Sequence, residues 1–337
     1  MINAVQLGLG PIGQRLTRYL SERDGIQIVG AVDPDLQKVG KDLGEHAGDD
    51  ESGIIISPDL NSCSAIGQVD VAVISTVSPL EKMEAQIQEV ADCGLDIVST
   101  CEELSHPWQT QPECAHRIDN YCKEKDISCV GTGVNPGFLM DYLPSVLTSV
   151  CREVKHIKVE RIQDARPRRK PFRDKIGVGL TGSEFEENRD SIRHVGLPES
   201  VYMIAEAMNW ELTNVDERLQ PIQAESSIQT ESGMVQPGNI AGVRQVALGL
   251  QNDKEVIRLV FEAAVGIEKS HDSIYITGTP TFTSTVDGGI NGDIATSAII
   301  VNAIRSISRA TPGLKTMLNI TAPAYFSRVD EGNLAKY

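Results

Sequence analysis

The stretch Gly8-Leu9-Gly10-Pro11-Ile12-Gly13 constrains this chain more than any other. It follows a short apolar run, Ala4-Val5-Gln6-Leu7, and opens a segment with apolar residues at Ile12, Leu16 and Leu20. That order spells a buried strand, a tight turn and a helix with one apolar stripe. Gly8 permits the sharp turn, Gly10 lets a pyrophosphate approach the backbone, and Gly13 lets the helix pack close against the strand. Pro11 suits the first helical turn, where its missing N–H costs nothing. With Ile12 it marks a helix N-terminus whose open N–H groups and partial positive charge suit a phosphate. A second apolar run, Ile26 to Val32, ends at Asp33, 20 residues past Gly13. A carboxylate there can accept hydrogen bonds from an adenosine ribose. This context favours a dinucleotide site over a glycine turn needed only for packing.

At 337 residues, 40% of them hydrophobic, the chain is long enough for two domains, each with its own core. Lys and Arg number 31 against 47 Asp and Glu, a net charge of −16. That argues against general binding to nucleic acid or to anionic membranes, since both need cationic patches. No run of about 18 apolar residues is present to span a bilayer. The strand beginning near Ala4 leaves no room ahead of it for a signal peptide. The seven cysteines are odd in number and lack C-x-x-C spacing, which fits reduced thiols in a cytoplasm. The histidines form no H-E-x-x-H pattern, so no metal is expected.

Up to about residue 145, short apolar runs alternate with longer amphipathic segments. Strands are expected at Ile54-Ile55-Ile56, Val69 to Ile74, Asp96 to Val98 and Ile127 to Val130, with helices over Leu80 to Cys93 and Gln109 to Lys125. The alternation implies right-handed crossovers and a doubly wound parallel sheet of the Rossmann kind, with ligands at the carboxyl ends of the strands. From 146 to 292 the pattern changes. A helix over Pro198 to Trp210 is followed by strand-like stretches at Gln220 to Thr230, Ile240 to Leu250, Glu255 to Val265 and Ser273 to Thr279, after an earlier one at Val154 to Ile162. Asn252-Asp253 is a hairpin signal. The expectation is a second, α+β domain with a mostly antiparallel sheet, serving substrate binding and oligomerisation. The apolar helix from Asp293 to Ser308 then returns the chain, 293–337, to the first domain.

The strand ends hold the chemistry. Ser75-Thr76 follow one strand, next to the expected cofactor. Ser99-Thr100-Cys101-Glu102-Glu103 follow the next, where the nicotinamide end should lie. Adjacent residues on extended chain point to opposite sides, so Glu102 is expected to face the cleft and Glu103 to face away or cap the next helix. Forming an amine from a ketone and ammonia needs a base for the ammonium proton, an acid to expel water, and an anion beside the iminium. A glutamate raised from about 4.3 toward neutrality by partial burial can serve all three. The loop Gly131-Thr132-Gly133-Val134-Asn135-Pro136-Gly137-Phe138 follows the last strand. Asn135 is a candidate for the nicotinamide carboxamide or for orienting substrate. Phe138, Met140, His194 and Trp210 are candidate pocket walls, with ordinary packing as the competing explanation for each. A cluster of cations, Arg166, Arg168, Arg169, Lys170, Arg173 and Lys175, reads as a solvated loop, a subunit contact, or an anchor for an anionic substrate group.

Three segments together, Gly8 to Gly13, Cys101-Glu102-Glu103-Leu104-Ser105 and Gly131 to Phe138, resemble the 2,4-diaminopentanoate dehydrogenase family. That family includes the native amine dehydrogenases and belongs to the dihydrodipicolinate-reductase-like superfamily. The likeness runs along essentially the whole chain, including Lys175 to Thr181 and Gly288-Gly289-Ile290-Asn291-Gly292-Asp293. It implies NAD(P)-dependent reductive amination of a ketone or aldehyde with ammonia, and the reverse oxidative deamination, with 2,4-diaminopentanoate a candidate substrate. Glu102 matches the catalytic glutamate. The paired histidines of dihydrodipicolinate reductases and the Glu-Lys-Pro of related sugar dehydrogenases are both missing here.

Coenzyme choice rests on Asp33, whose charge repels a 2′-phosphate and favours NAD; Lys38 and Lys41 leave NADP open. A homodimer through the second-domain sheet is expected. Two other readings stay open: an alcohol- or imine-reducing oxidoreductase of the same fold, and a non-enzymatic dinucleotide-binding sensor.

Overall fold

The computed structural model describes residues 1–192, 196–231 and 233–327. The chain forms two compact units, one of Met1–Gly133 with the chain from Asp293 on, the other of Val134–Gly292. The chain therefore leaves the first unit at Gly133, ahead of the expected boundary near 145.

The first unit is built on a parallel sheet of β1 (Ile2–Leu7), β2 (Ile26–Val32), β3 (Ile56–Ser57), β4 (Val71–Ile74), β5 (Asp96–Ser99), β6 (Ser128–Gly131) and a late strand, β15 (Gly313–Lys315). Its order is β15-β6-β5-β4-β1-β2-β3. Every pairing is parallel, as a doubly wound α/β sheet requires. β4 is buried along its whole length and β5 over its last three residues, which explains their unbroken apolar sequences. The helices α1 (Pro11–Ser21), α2 (Leu43–Ala47), α3 (Leu80–Asp92) and α4 (Pro112–Glu124) connect the strands. Strand order reverses at β1, so the turn after it opens at the switch point where ligands bind such sheets. Gly313–Lys315 escaped the sequence reading because three residues carry no periodicity.

The second unit holds β7 (Glu153–Asp164), β8 (Asn214–Gln223), β11 (Ile240–Gln251), β12 (Lys254–Ala264), β13 (His271–Thr279) and β14 (Phe282–Asp287), in the order β14-β13-β7-β12-β11-β8. Only β12 and β7 run parallel; the other four pairings are antiparallel. One face packs Ile157, Val159, Val243, Ala247, Leu259, Phe261 and Ile276 into a core. Gln220 to Thr230 is not one strand. It divides between β8 and β9 (Ile228–Thr230), which pairs with β10 (Gly233–Val235) in a separate ribbon. The helices here are α5 (Tyr142–Leu147), α6 (Lys170–Lys175), α7 (Gly182–Glu187) and α8 (Leu197–Met208); α9 (Gly292–Ile307) then carries the chain onward. No helix among the described residues is long and apolar enough to cross a membrane.

Candidate functional site

The first unit builds its site from the turn after β1. The β-carbon of any side chain at Gly13 would lie 2.1 Å from the Gly8 carbonyl oxygen, so helix and strand approach as only glycine permits. Gln6 fixes that approach: its Nε2 donates to the Gly13 carbonyl at 2.6 Å, and its Oε1 accepts from Thr17 Oγ1 at 2.9 Å. Pro11 opens α1, no side chain caps it, and no acidic residue stands in its first turn. The space that a β-carbon at Gly10 would enter is empty to 4 Å. An anion of pyrophosphate size therefore meets open N–H groups at Ile12 and Gly13, and the residues present fit a dinucleotide.

Asp33 is buried at the end of β2. Its Oδ2 accepts from Leu9 N–H at 2.8 Å and from Lys38 Nζ at 2.9 Å, and its Oδ1 from Asp35 N–H at 3.0 Å. Burial works against its charge, but the Lys38 ammonium and the two amides hold the carboxyl below its ordinary range. Ser75 Oγ donates to the Gly8 carbonyl at 2.8 Å, bracing the turn. Thr76, exposed, donates to Gln86 Oε1 at 2.6 Å.

Glu102 and Glu103 part company after β5, two strands from β1. Glu103 Oε2 accepts from Leu80 N–H at 2.8 Å and from Gln111 Nε2 at 2.6 Å. It caps α3, the preceding helix rather than the next one, because Pro79 at that N-cap has no side-chain oxygen to offer. Glu102 is half-buried, and its carbonyl is fixed by Ser105, which donates through Oγ at 2.8 Å and N–H at 3.2 Å. Cys101, expected to contact the cofactor, is fully buried and donates to the Ser78 carbonyl. Burial pushes its thiol up to about 12, so it stays protonated at neutral pH.

The second unit carries the other expected residues. Asn135 is buried, and neither its Oδ1 nor its Nδ2 finds a hydrogen-bond partner among the described residues. A buried amide left open costs about 1–3 kcal/mol, and this one keeps both a donor and an acceptor to offer. Its loop is clamped by Asp141, which sequence reasoning missed. Asp141 Oδ2 accepts from Gly137 N–H and from Ser200 Oγ, both at 2.7 Å, and its Oδ1 accepts from Tyr142 N–H at 2.6 Å. Gly196 presses on Pro136 so closely that a β-carbon would lie 2.5 Å from the ring, and its φ of +90° also demands glycine. Phe138 is half-buried with its ring 6.0 Å from that of Tyr142. Met140 is fully buried in the core and Trp210 packs against it. His194 lies outside the described residues.

The cationic segment is not a uniform solvated loop. Arg166 pairs with Asp164 and Lys170 with Asp174 at the surface, but Arg168 and Arg173 are buried. Arg168 stacks 3.8 Å over the Phe172 ring and donates to Gln163 Oε1 at 3.2 Å. It joins a buried set that the sequence reading overlooked. Arg161 lies in phase with Ile157 and Val159 on the core face of β7. Its Nη2 and Gln163 Nε2 both donate to the Ile290 carbonyl, at 2.8 and 2.7 Å. Arg161 Nη1 stands 3.5 Å from Asp272 Oδ1, whose other oxygen accepts from Ile290 N–H. Burial lowers Arg161 to about 10, against the pull of Asp272, so it remains charged at neutral pH. The signal was available: an arginine where the alternation of β7 calls for an apolar residue. Among the described residues no group of three or more His, Cys, Asp or Glu could hold a metal ion.

Residues 138–333 match the profile of a family described as the 2,4-diaminopentanoate dehydrogenase C-terminal domain. The chain is 29% identical over 335 residues to the 2,4-diaminopentanoate dehydrogenase of Acetoanaerobium sticklandii, covering 96% of this chain and 94% of that one. A shorter match, 37% identical over 78 residues, is to the 4-hydroxy-tetrahydrodipicolinate reductase of Syntrophus aciditrophicus, covering 23% of this chain and 29% of that one. The solved structure of amine dehydrogenase from Mycobacterium smegmatis shares the fold with a TM-score of 0.85 at 22% identity, covering 96% of this chain and 97% of that one.

Proposed function

The chain belongs to the 2,4-diaminopentanoate dehydrogenase family, and from that premise we propose that it is an NAD(P)-dependent amine dehydrogenase with Glu102 as its catalytic residue. Membership makes it an oxidoreductase acting on CH–NH2 groups. The finer reading is reductive amination of a ketone or aldehyde with ammonia, and oxidative deamination in reverse. The observation that supports it is the place of Glu102, half-buried just after β5, with its neighbour Glu103 turned toward Leu80 N–H and Gln111.

A bound nicotinamide supplies the hydride in one direction and accepts it in the other. Glu102 takes a proton from the incoming ammonium, returns one as water leaves the carbinolamine, and places a negative charge beside the iminium. Asp33 accepts hydrogen bonds from the adenosine ribose. The Gly8-to-Gly13 turn, with Pro11 and Ile12, holds the pyrophosphate. Asn135 offers a donor and an acceptor to the carboxamide or to substrate. A substrate carboxylate, as in 2,4-diaminopentanoate, falls to Arg168, the cation of its segment that the fold places beside Gln163. A second copy of the chain is expected on the outer face of the second-unit sheet, where Val246, Leu248 and Leu250 are half-buried.

The test is oxidation of NADH with small ketones, aldehydes and keto acids, with and without ammonium. Turnover that requires ammonium supports the proposal; turnover that ignores it overturns it. Arg168→Met should raise KM for substrates bearing a carboxylate and leave KM for simple ketones in place.

A further inference from the structure

Leu9, between the first two glycines of the turn, is tied through both of its backbone groups. Its N–H donates to Asp33 Oδ2 at 2.8 Å, and its carbonyl accepts from His46 Nε2 at 2.9 Å. The first tie comes from the end of β2. The second comes from α2, 37 residues along the chain. A carbonyl only accepts, so the hydrogen of the His46 ring sits on Nε2. The side-chain amide of Gln14 stands 3.3 Å from the same nitrogen.

α2 has five residues, too few to hold together alone. One carboxylate fixes it. Asp42 Oδ1 accepts from Gly44, Glu45 and Ser52 N–H at 2.7, 3.1 and 2.9 Å, and its Oδ2 accepts from Gly53 N–H at 2.8 Å. Arg18 Nη1, from α1, donates to the Ala47 carbonyl at 3.3 Å. A helix this short and this heavily braced presents His46, half-buried, at a fixed place against the glycine turn.

The tie matters because of the peptide it acts on. A flip of the Leu9–Gly10 peptide changes ψ of Leu9 and φ of Gly10, and glycine accepts either sign of φ. Sterics alone therefore do little to choose between the two orientations. A trans peptide carries its C=O and N–H on opposite sides. While His46 holds the Leu9 carbonyl toward α2, the Gly10 N–H faces away from α2. A flip would bring the carbonyl oxygen round in its place, the negative end of a dipole where an anion needs a donor.

We propose that His46 is a positioning residue for the coenzyme: by holding the Leu9 carbonyl, its Nε2–H keeps the Gly10 N–H turned to the pyrophosphate, beside those of Ile12 and Gly13. This rests on the dinucleotide reading above and adds to it a residue that lies outside the glycine turn.

The test separates the bond from the bulk of the side chain. His46→Gln places an amide nitrogen where Nε2 stood. His46→Asn places it where Nδ1 stood, out of reach of Leu9. NADH is titrated by nicotinamide fluorescence into the wild type and both variants. Calorimetry with ADP and with adenosine reads the same turn with and without a pyrophosphate. His46→Asn should weaken NADH and ADP about 10-fold, the size of one hydrogen bond to a charged group, with adenosine affinity and the melting temperature of the free protein near the wild type. His46→Gln should recover most of that loss. If His46→Asn binds NADH as the wild type does, or His46→Gln binds it as weakly as His46→Asn, the Leu9 bond does not set the turn and the proposal falls. It falls too if adenosine weakens in step with ADP, because the variant has then lost the whole subsite rather than the direction of one donor. A wild type that binds neither NADH nor ADP overturns the dinucleotide reading beneath it.

Discussion

The two units hold their buried polar groups in different ways. In the first, backbone amides do much of the holding: Leu9 and Asp35 N–H fix Asp33, and Leu80 N–H fixes Glu103. In the second, side chains far apart in sequence share the work, with Arg161, Gln163 and Asp272 converging on Ile290. A group held by the scaffold can be lost without loosening the scaffold. A group that holds others cannot. Losing Asp33 or Glu102 at the strand ends of the first unit should therefore cost function, losing Glu103 should cost the cap that it gives α3, and losing Arg161 or Asp272 in the second unit should cost stability.

The largest effect is expected at Glu102. Glu102→Gln removes the base and the anion together and should lower kcat about 10²- to 10⁴-fold, with NADH affinity by fluorescence and the melting temperature close to the wild type. A large fall in melting temperature would show that Glu102 carries structure, and the contrast between the units would fail on its strongest member.

Arg161→Met sharpens the other side. It leaves Asp272 as an uncompensated buried charge and should cost about 3–5 kcal/mol of folding stability in a denaturant titration. The double variant Arg161→Met/Asp272→Leu should recover most of that, because it removes both charges. If Arg161→Met instead kept its stability and lost carboxylate-bearing substrates alone, Arg161 would belong to the ligand site.

Between these lies the clamp on the Asn135 loop. Ser200→Ala removes one hydroxyl from the Asp141 carboxylate and leaves the Gly137 and Tyr142 amides on it. A hydrogen bond to a charged group is worth about 1.5–3 kcal/mol, so stability should fall by that order. A rise in KM with kcat retained would show that the clamp also sets the position of Asn135.

The same contrast explains what could be read from sequence. The Gly8-to-Gly13 turn and the place of Asp33 after β2 are local patterns that follow from a few neighbouring residues and the end of one strand, whereas the helix that Glu103 caps lies 23 residues back and was not the one expected. Arg161 and Ile290 meet across 129 residues, and no spacing rule announces a contact of that range. What the sequence did carry was an anomaly, a charged residue in the apolar phase of β7. Ala4-Val5-Gln6-Leu7 holds a second such anomaly, Gln6, which locks α1 to its strand. The basic segment misled for the opposite reason. Composition gave six cations together, but the packing of Phe172 and α6 decided that Arg168 and Arg173 would be buried and Arg166 and Lys170 exposed.

The smallest effect decides the most local question. Glu102 and Glu103 have the same chemistry and adjacent places, so only their contacts separate them. Glu103→Ala removes the acceptor that caps α3 at Leu80 and the partner of Gln111. A lost cap is worth about 1 kcal/mol, partly through the negative charge near the helix N-terminus. The expected result is a small fall in melting temperature with kcat and NADH affinity near the wild type. Glu103→Gln should recover part of the stability, since the amide oxygen can still accept from Leu80 N–H but carries no charge. If Glu103→Ala were the inactive variant and Glu102→Gln the active one, the catalytic carboxylate would be Glu103, and capping and catalysis would not be divided between the two glutamates.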